Sequence, residues 1–225
     1  MSYDDTIVYV AQDALRYVRE GDVIGLGSGR AAAALVEELG RVAGELRIRG
    51  VPTSLQIRLA AEKAGIPMLE PGEMPRLDSI FDGADQIDSA GYMVKGGGGA
   101  LLRERVLAGM AGRVVIMADE TKFVERLSRP IPVEVHPAAR GLIHERVSGM
   151  GAVPRLRTLE RGYPAFTENG NIILDCDFGG IVDPPGLAAR LRGLPGVLEA
   201  GIFERPDIIY RAARGGAFEV VRPLG

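Results

Sequence analysis

The segment that most constrains the fold lies near the start: a short apolar run, Val23-Ile24-Gly25-Leu26, a glycine turn, Gly27-Ser28-Gly29, and an amphipathic stretch from Ala31 to Leu39 that Gly40 is expected to close. An unbroken apolar run of this length fits a strand covered on both faces, and a glycine turn feeding directly into a helix is how a parallel-sheet unit begins. The unit recurs. Leu46 to Val51 predicts a strand, and Pro52-Thr53-Ser54 leads into a helix through Ala64, with Thr53 or Ser54 as N-cap. Ile66 to Leu69 and Ser79 to Phe81 predict strands, Ala100 to Ala111 a helix, and Arg113 to Ala118 a buried strand. Ile7, Ala11, Ala14, Leu15 and Val18 recur at helical spacing, so a helix opens the sequence. Such alternation implies a parallel sheet with helices on both faces.

The texture changes near Pro130. Pro132 to Val135 predicts a strand, Ala138 to Ser148 a helix, Val153 to Thr158 and Ile172 to Cys176 strands, Asp183 to Leu191 a capped helix, and Val197 to Phe203 a strand. That β-α-β-β-α-β order fits a ferredoxin-like α+β domain. Asp207 to Tyr210 and Phe218 to Val221 are expected to return to the first sheet. The expected organisation is therefore a Rossmann-like three-layer α/β domain, 1–129 plus 206–225, and a smaller ferredoxin-like domain, 130–205.

A net charge of −3 gives no general field for a polyanion, so no nucleic-acid partner is expected, and a small anion would need a local cluster of donors. The single cysteine, Cys176, sits in an apolar run and reads as a small buried hydrophobe in a reducing compartment. His136 and His144 have no partners at metal-ligand spacing. The opening Met-Ser-Tyr-Asp-Asp lacks the basic and apolar regions of a signal peptide, and no apolar run nears a membrane span. A cytoplasmic protein is expected, with no membrane association.

Four segments carry chemistry. Gly25-Leu26-Gly27-Ser28-Gly29-Arg30 offers backbone N–H groups and a helix N-terminus to an anion, or is simply a tight turn. It is not a dinucleotide fingerprint. Counted from Gly25 the sixth position is Arg30; counted from Gly27 it is Ala32, but the acidic residue about 20 positions on is missing. Asp82-Gly83-Ala84-Asp85-Gln86-Ile87-Asp88 follows a strand, and its carboxylates suit a solvated turn, a metal loop, or acid–base and sugar-hydroxyl contacts. Lys95-Gly96-Gly97-Gly98-Gly99 reads as a backbone nest beside a cation, or as a linker, although apolar structure lies close on both sides. Glu104, between Arg103 and Arg105, is either a surface carboxylate in ion pairs or, in an apolar site, a general base.

Taken together, these segments resemble the ribose-5-phosphate isomerase family of the A type, essentially from end to end. The likeness continues through Val51-Pro52-Thr53-Ser54 with Gln56, Asp119-Glu120-Thr121-Lys122, Pro132-Val133-Glu134-Val135, Thr167 to Asn171 with Ile173-Leu174-Asp175, and Leu194-Pro195-Gly196-Val197 before Gly201-Ile202-Phe203. The resemblance implies interconversion of D-ribose 5-phosphate and D-ribulose 5-phosphate in the non-oxidative pentose phosphate branch. It implies Glu104 as general base, Asp82 and Asp85 as substrate carboxylates, one of them opening the furanose ring, and Lys95 as a cation near the reacting oxygens. Ser28, Gly29, Arg30, Ala31, Gly83, Ala84, Gly96, Gly97, Gly98 and Lys122 are implied as further contacts to the sugar phosphate. It also implies no metal or nucleotide cofactor, and a homodimer or homotetramer.

The chemistry agrees. Aldose–ketose isomerisation needs a base for a weakly acidic C–H proton, positive charge or N–H donors for the enediolate, and a phosphate anchor that positions the reacting carbons. Two positions depart from the family's usual pattern. Arg30-Ala31 replaces a hydroxyl pair after the first turn, and Gln86 replaces a glutamate. Arg30 is expected to supply a charged phosphate contact instead. Isomerisation of another short sugar phosphate, or non-catalytic sugar-phosphate sensing on the same fold, stay open here.

Overall fold

The computed structural model describes residues 3–222; Met1, Ser2 and Pro223 to Gly225, which fall within the expected ranges, lie outside the described residues. In chain order the elements begin α1 (Tyr3–Ala14), β1 (Val23–Leu26), α2 (Arg30–Leu46), β2 (Arg49–Pro52), α3 (Leu55–Lys63), β3 (Ser79–Asp82), β4 (Gln86–Ile87), β5 (Met93–Val94), α4 (Leu101–Met110) and β6 (Val114–Asp119). They continue β7 (Ile131–Val135), α5 (Arg140–Gly149), β8 (Val153–Leu156), β9 (Ile172–Asp177), α6 (Pro184–Arg192), β10 (Val197–Ala200), β11 (Ile202–Phe203), β12 (Ile208–Ala212) and β13 (Phe218–Val221).

Two compact units emerge. The larger takes Met1–Ala84, Arg103–Lys122 and Pro206–Gly225, and the smaller Asp85–Leu102 and Phe123–Arg205. Residues 85–102 and 123–129 thus go with the smaller unit, where β5 pairs with β4 and β11 and the Ile181 amide donates to the Leu127 carbonyl at 2.9 Å.

The larger unit is a six-stranded sheet in the order β13-β12-β6-β3-β1-β2, parallel except for the β12–β13 pair. Every residue of β1 and β3 is buried, as covering on both faces demands. On one face Val10 of α1, Leu35 and Leu39 of α2 and Ile57 of α3 meet Ile24, Leu26, Phe81, Met117 and Tyr210. On the other, Leu107 and Met110 of α4 cover Val23, Val51 and Ile80. Each fully buried Leu or Phe here contributes on the order of 2 kcal/mol. Tyr210 also ties α1 to β12, its hydroxyl donating to Asp13 Oδ2 at 2.6 Å; burial and that carboxylate push the phenol well above its ordinary range.

Three local expectations change. The helix after the glycine turn does not stop at Gly40 but runs to Leu46, ending where Arg47 turns left-handed (φ 52°). Gly40 is a packing residue: a Cβ there would lie 2.7 Å from the Ala64 carbonyl oxygen at the end of α3. The strand expected over Ile66 to Leu69 shrinks to a single parallel bridge between Met68 and Gly50, and Pro67 brings no N–H to a longer ladder. Val197 to Phe203 breaks at Gly201 into β10 and β11.

In the smaller unit β7-α5-β8-β9-α6-β10 folds as an antiparallel sheet in the order β10-β7-β9-β8, the ferredoxin-like arrangement. Val133, Val135, Ile143, Val147, Leu174, Leu187 and Leu191 fill its core. Glu134, fully buried, holds the Glu168 to Asn171 turn: its Oε1 accepts from Thr167 Oγ1 (2.9 Å), Asn169 Nδ2 (3.0 Å) and Asn171 Nδ2 (2.9 Å). Cys176 lies in the core, where desolvation pushes its thiol up to about 12.

Two outcomes test this packing. Helix propensity alone would make Gly40→Ala stabilising by about 1 kcal/mol; the contact with Ala64 should instead make it net destabilising by about 1 kcal/mol in urea unfolding. Cys176 should resist an anionic disulfide reagent at pH 8 in the folded protein and react fully once denatured, as absorbance of the released thiol reports.

Candidate active site

In the larger unit the chain leaves β1 toward β2 on one side, while β3 lies on the other. Their carboxyl ends flank the switch point where open α/β sheets bind ligands. The Asp82 carboxylate joins those two ends. Its Oδ1 accepts from the amides of Gly83 (2.7 Å) and Ser28 (3.2 Å). Only glycine fits beside it, because a Cβ at Gly27 would sit 2.0 Å from that oxygen.

After this contact Gly29 takes φ 96° and starts the 17-residue α2 at Arg30, whose side chain is exposed beside a half-buried Ala31. The positive end of that helix and its first amides face the turn. A hydroxyl cluster stands next to it. Ser28 Oγ lies 2.9 Å from Thr53 Oγ1 and donates to Ser54 Oγ at 3.1 Å, and Ser54 caps α3 by accepting from the Ile57 amide at 3.3 Å.

Glu104 occupies the first turn of α4 and is 4 % exposed. Leu101 and Leu107, each fully buried, stand one turn before and after it, so the carboxylate lies on the apolar stripe of the helix and not on its solvated side. Lys122 is half-buried and ends the 3-10 turn after β6, which Asp119 orders by accepting from the Thr121 amide and hydroxyl.

The smaller unit holds Asp85, Lys95 and the glycine run. Asp85 Oδ2 accepts from the Gly97 amide at 2.8 Å. Gly96 and Gly99 have φ of 105° and 83°, and the Gly99 amide donates to the Gly96 carbonyl at 3.1 Å, so the run is a defined turn and not a linker. Gly97 gives its N–H to Asp85, while the amides of Gly96 and Gly98 donate to no group among the described residues. Lys95 is 4 % exposed; its amide donates to the Gly201 carbonyl at 2.9 Å, and its Nζ lies 5.4 Å from the Phe203 ring centroid, a cation–π contact.

Gln86 is buried and structural: its Oε1 accepts from the amides of Ser128 (2.7 Å) and Arg129 (3.0 Å). Asp88 Oδ1 accepts from the Ala90 and Tyr92 amides, and burial raises its carboxyl above the usual range despite those bonds. Among the described residues no three His, Cys, Asp or Glu side chains come together as metal ligands would.

Ser28, Gly29, Arg30, Ala31, Asp82, Gly83, Ala84, Glu104 and Lys122 thus belong to the larger unit, and Asp85, Lys95, Gly96, Gly97 and Gly98 to the smaller. Sequence reading missed the hydroxyls of Thr53 and Ser54 as neighbours of the first turn, and the support of Lys95 by Gly201 and Phe203. It also missed Arg157, whose guanidinium reaches the glycine run from 60 positions away. The Thr-Ser pair ahead of a helix carried a signal for its role; the others carried none in spacing.

Residues 49–216 match the family model described as ribose 5-phosphate isomerase A (phosphoriboisomerase A). Among curated relatives, ribose-5-phosphate isomerase A of Natronomonas pharaonis is 46 % identical over 83 % of this chain and 83 % of its own. That of Bradyrhizobium diazoefficiens is 42 % identical over 90 % and 89 %. The solved ribose 5-phosphate isomerase A from Methanocaldococcus jannaschii superposes with a TM-score of 0.92 at 34 % identity, covering 98 % of this chain and 100 % of that one. A D-ribose-5-phosphate isomerase in complex with phospho-erythronic acid gives 0.93 at 34 % identity, over 99 % and 100 %. On sequence and fold alike, the chain belongs to the ribose-5-phosphate isomerase A family.

Proposed function

We infer that this protein is an aldose–ketose isomerase that interconverts D-ribose 5-phosphate and D-ribulose 5-phosphate through an enediol, with Glu104 as the base. The observation that carries the reading is a carboxylate only 4 % exposed on the apolar face of α4, in a chain whose relatives bear the name of this reaction. The Glu104 carboxylate takes the proton from C2 of the open-chain aldose. The released electron pair forms the C1–C2 double bond and the carbonyl pair moves to O1. Once the O2 proton has passed to O1, the protonated Glu104 returns its proton to C1. These steps need no metal and no nucleotide.

The other roles follow from chemistry. Lys95 balances the enediolate charge, and its placement over Phe203 keeps the ammonium in a partly apolar setting where that charge acts strongly. Asp82, fixed by two amides, passes protons in ring opening. Ser28, Gly29, Arg30 and Ala31 at the α2 N-terminus, with Lys122, hold the phosphate, so remote binding energy positions the reacting carbons. Gly83, Ala84, Asp85, Gly96, Gly97 and Gly98 contact the sugar hydroxyls. A solved relative is in complex with phospho-erythronic acid, a phosphorylated sugar acid that carries negative charge on a carboxylate as an enediolate would on its oxygens, which supports this class of substrate.

The same reading makes the protein cytoplasmic and a homodimer or homotetramer. Leu159, Tyr163 and Phe166 are exposed within residues 159–166 of the smaller unit, large apolar side chains that self-association would cover. No described helix is long and apolar enough to cross a membrane.

Glu104→Gln should lower kcat on ribose 5-phosphate by about a thousandfold while substrate still binds by calorimetry; near-normal turnover refutes the base. Arg30→Ala should raise KM for ribose 5-phosphate by about tenfold through loss of a charge-assisted contact; an unchanged KM removes Arg30 from the phosphate site.

A further inference from the structure

The smaller unit contains one charged group whose hydrogen bonds converge on the glycine run from behind. Arg157, just past the end of β8, has a side chain 19 % exposed. Its Nε donates to Asp175 Oδ2 at 2.9 Å and its Nη2 to Asp175 Oδ1, a paired contact with a carboxylate on β9. Its Nη1 donates to the carbonyls of both Gly96 (2.8 Å) and Gly97 (3.0 Å). One guanidinium therefore grips two consecutive peptide groups while its other edge is held rigid.

Peptide groups are planar and trans, so fixing a carbonyl fixes the direction of the N–H on its far side. The Gly96 carbonyl shares its peptide with the Gly97 amide, which points away from Arg157 and meets Asp85. The Gly97 carbonyl shares its peptide with the Gly98 amide, which must also point away, and which donates to no group among the described residues. A Cβ built at Gly98 meets nothing within 4 Å, so space lies beside this residue. A cation on the carbonyl side also polarises each peptide and strengthens its amide as a donor.

We propose that Arg157, locked by Asp175, is a positioning residue for the isomerase: it aims and polarises the Gly98 amide as a donor to the oxygen that becomes negative in the enediolate, and it holds Asp85 through Gly97. This rests on the proposed isomerase reading. Arg157 touches neither substrate nor Glu104 in this role and acts only through the backbone of residues 96–98. Lysine could reach the carbonyls but could not hold Asp175 and both oxygens at once.

The test uses the full chain with Arg157→Met and Arg157→Lys, assayed on ribose 5-phosphate well below each variant's unfolding temperature. Arg157→Met should lower kcat by about thirtyfold, as loss of a preorganised donor does, with KM within about threefold of the parent. Arg157→Lys should recover part of that loss. Affinity for phospho-erythronic acid, read by calorimetry, should fall with kcat, whereas affinity for inorganic phosphate should not. The proposal is overturned if kcat is unchanged, if only KM rises, or if the loss disappears once the assay temperature is lowered to compensate for a reduced melting point. Should Arg157→Met not fold, the same comparisons on Arg157→Lys decide, with full parental kcat counting against the proposal. A parent protein that does not isomerise ribose 5-phosphate overturns the isomerase reading and this one with it, whereas an active parent with indifferent variants overturns this one alone.

Discussion

The carboxylate of Asp82 is the contact on which the larger unit's functional end depends. Two parallel strands that are neighbours in the sheet but distant in sequence, β1 and β3, end side by side, and their amides would otherwise face into the open switch point. Asp82 bridges them by accepting from Ser28 and Gly83. The bridge in turn dictates glycine at position 27, since the oxygen occupies the space of a side chain. Once Gly27 is fixed, Gly29 can enter its left-handed conformation and α2 starts at Arg30 with its positive end toward the turn. The exposed helix start beside this turn is thus a consequence of how β1 and β3 are tied together at one end.

The smaller unit solves a similar problem differently. It uses side chains to hold the backbone: Asp85 on one side, and Arg157 with Asp175 on the other. Four glycines in a row would be costly in chain entropy if left free. Here charge-assisted hydrogen bonds at both edges of the peptides define their conformation. Lys95 is fixed at both ends in the same spirit, its amide by Gly201 and its ammonium by the Phe203 ring.

The sequence made the large features legible because they rest on local physics. Val23 to Leu26 and Arg113 to Ala118 announce buried parallel strands by composition alone, and Ser54 and Asp183 cap helices as their side chains allow. It misled where tertiary contact overrode a local rule. Gly40 looked like a helix stop, yet it is glycine because α3 presses against it. The two-residue strands β4 and β5 are too short to show a period, so the three-stranded sheet they form with β11 left no trace in pattern. Gln86 showed only as a departure from the family's usual glutamate, and the structure uses it to pin the Ser128–Arg129 backbone. Arg157 was invisible, because nothing in its immediate neighbours distinguishes it from a surface arginine; its meaning lies in a contact 60 positions away.

The path of the chain through its two units bears on how such a protein could ever be assembled or taken apart. The smaller unit consists of two stretches, Asp85–Leu102 and Phe123–Arg205, separated by a piece of the larger one, which is itself in three stretches. No single cut in a gene would release either unit whole, and no end-to-end fusion would add one. Any single crossover within the chain would divide the larger unit, so parts can be exchanged only by inserting or replacing internal stretches, not by joining modules end to end.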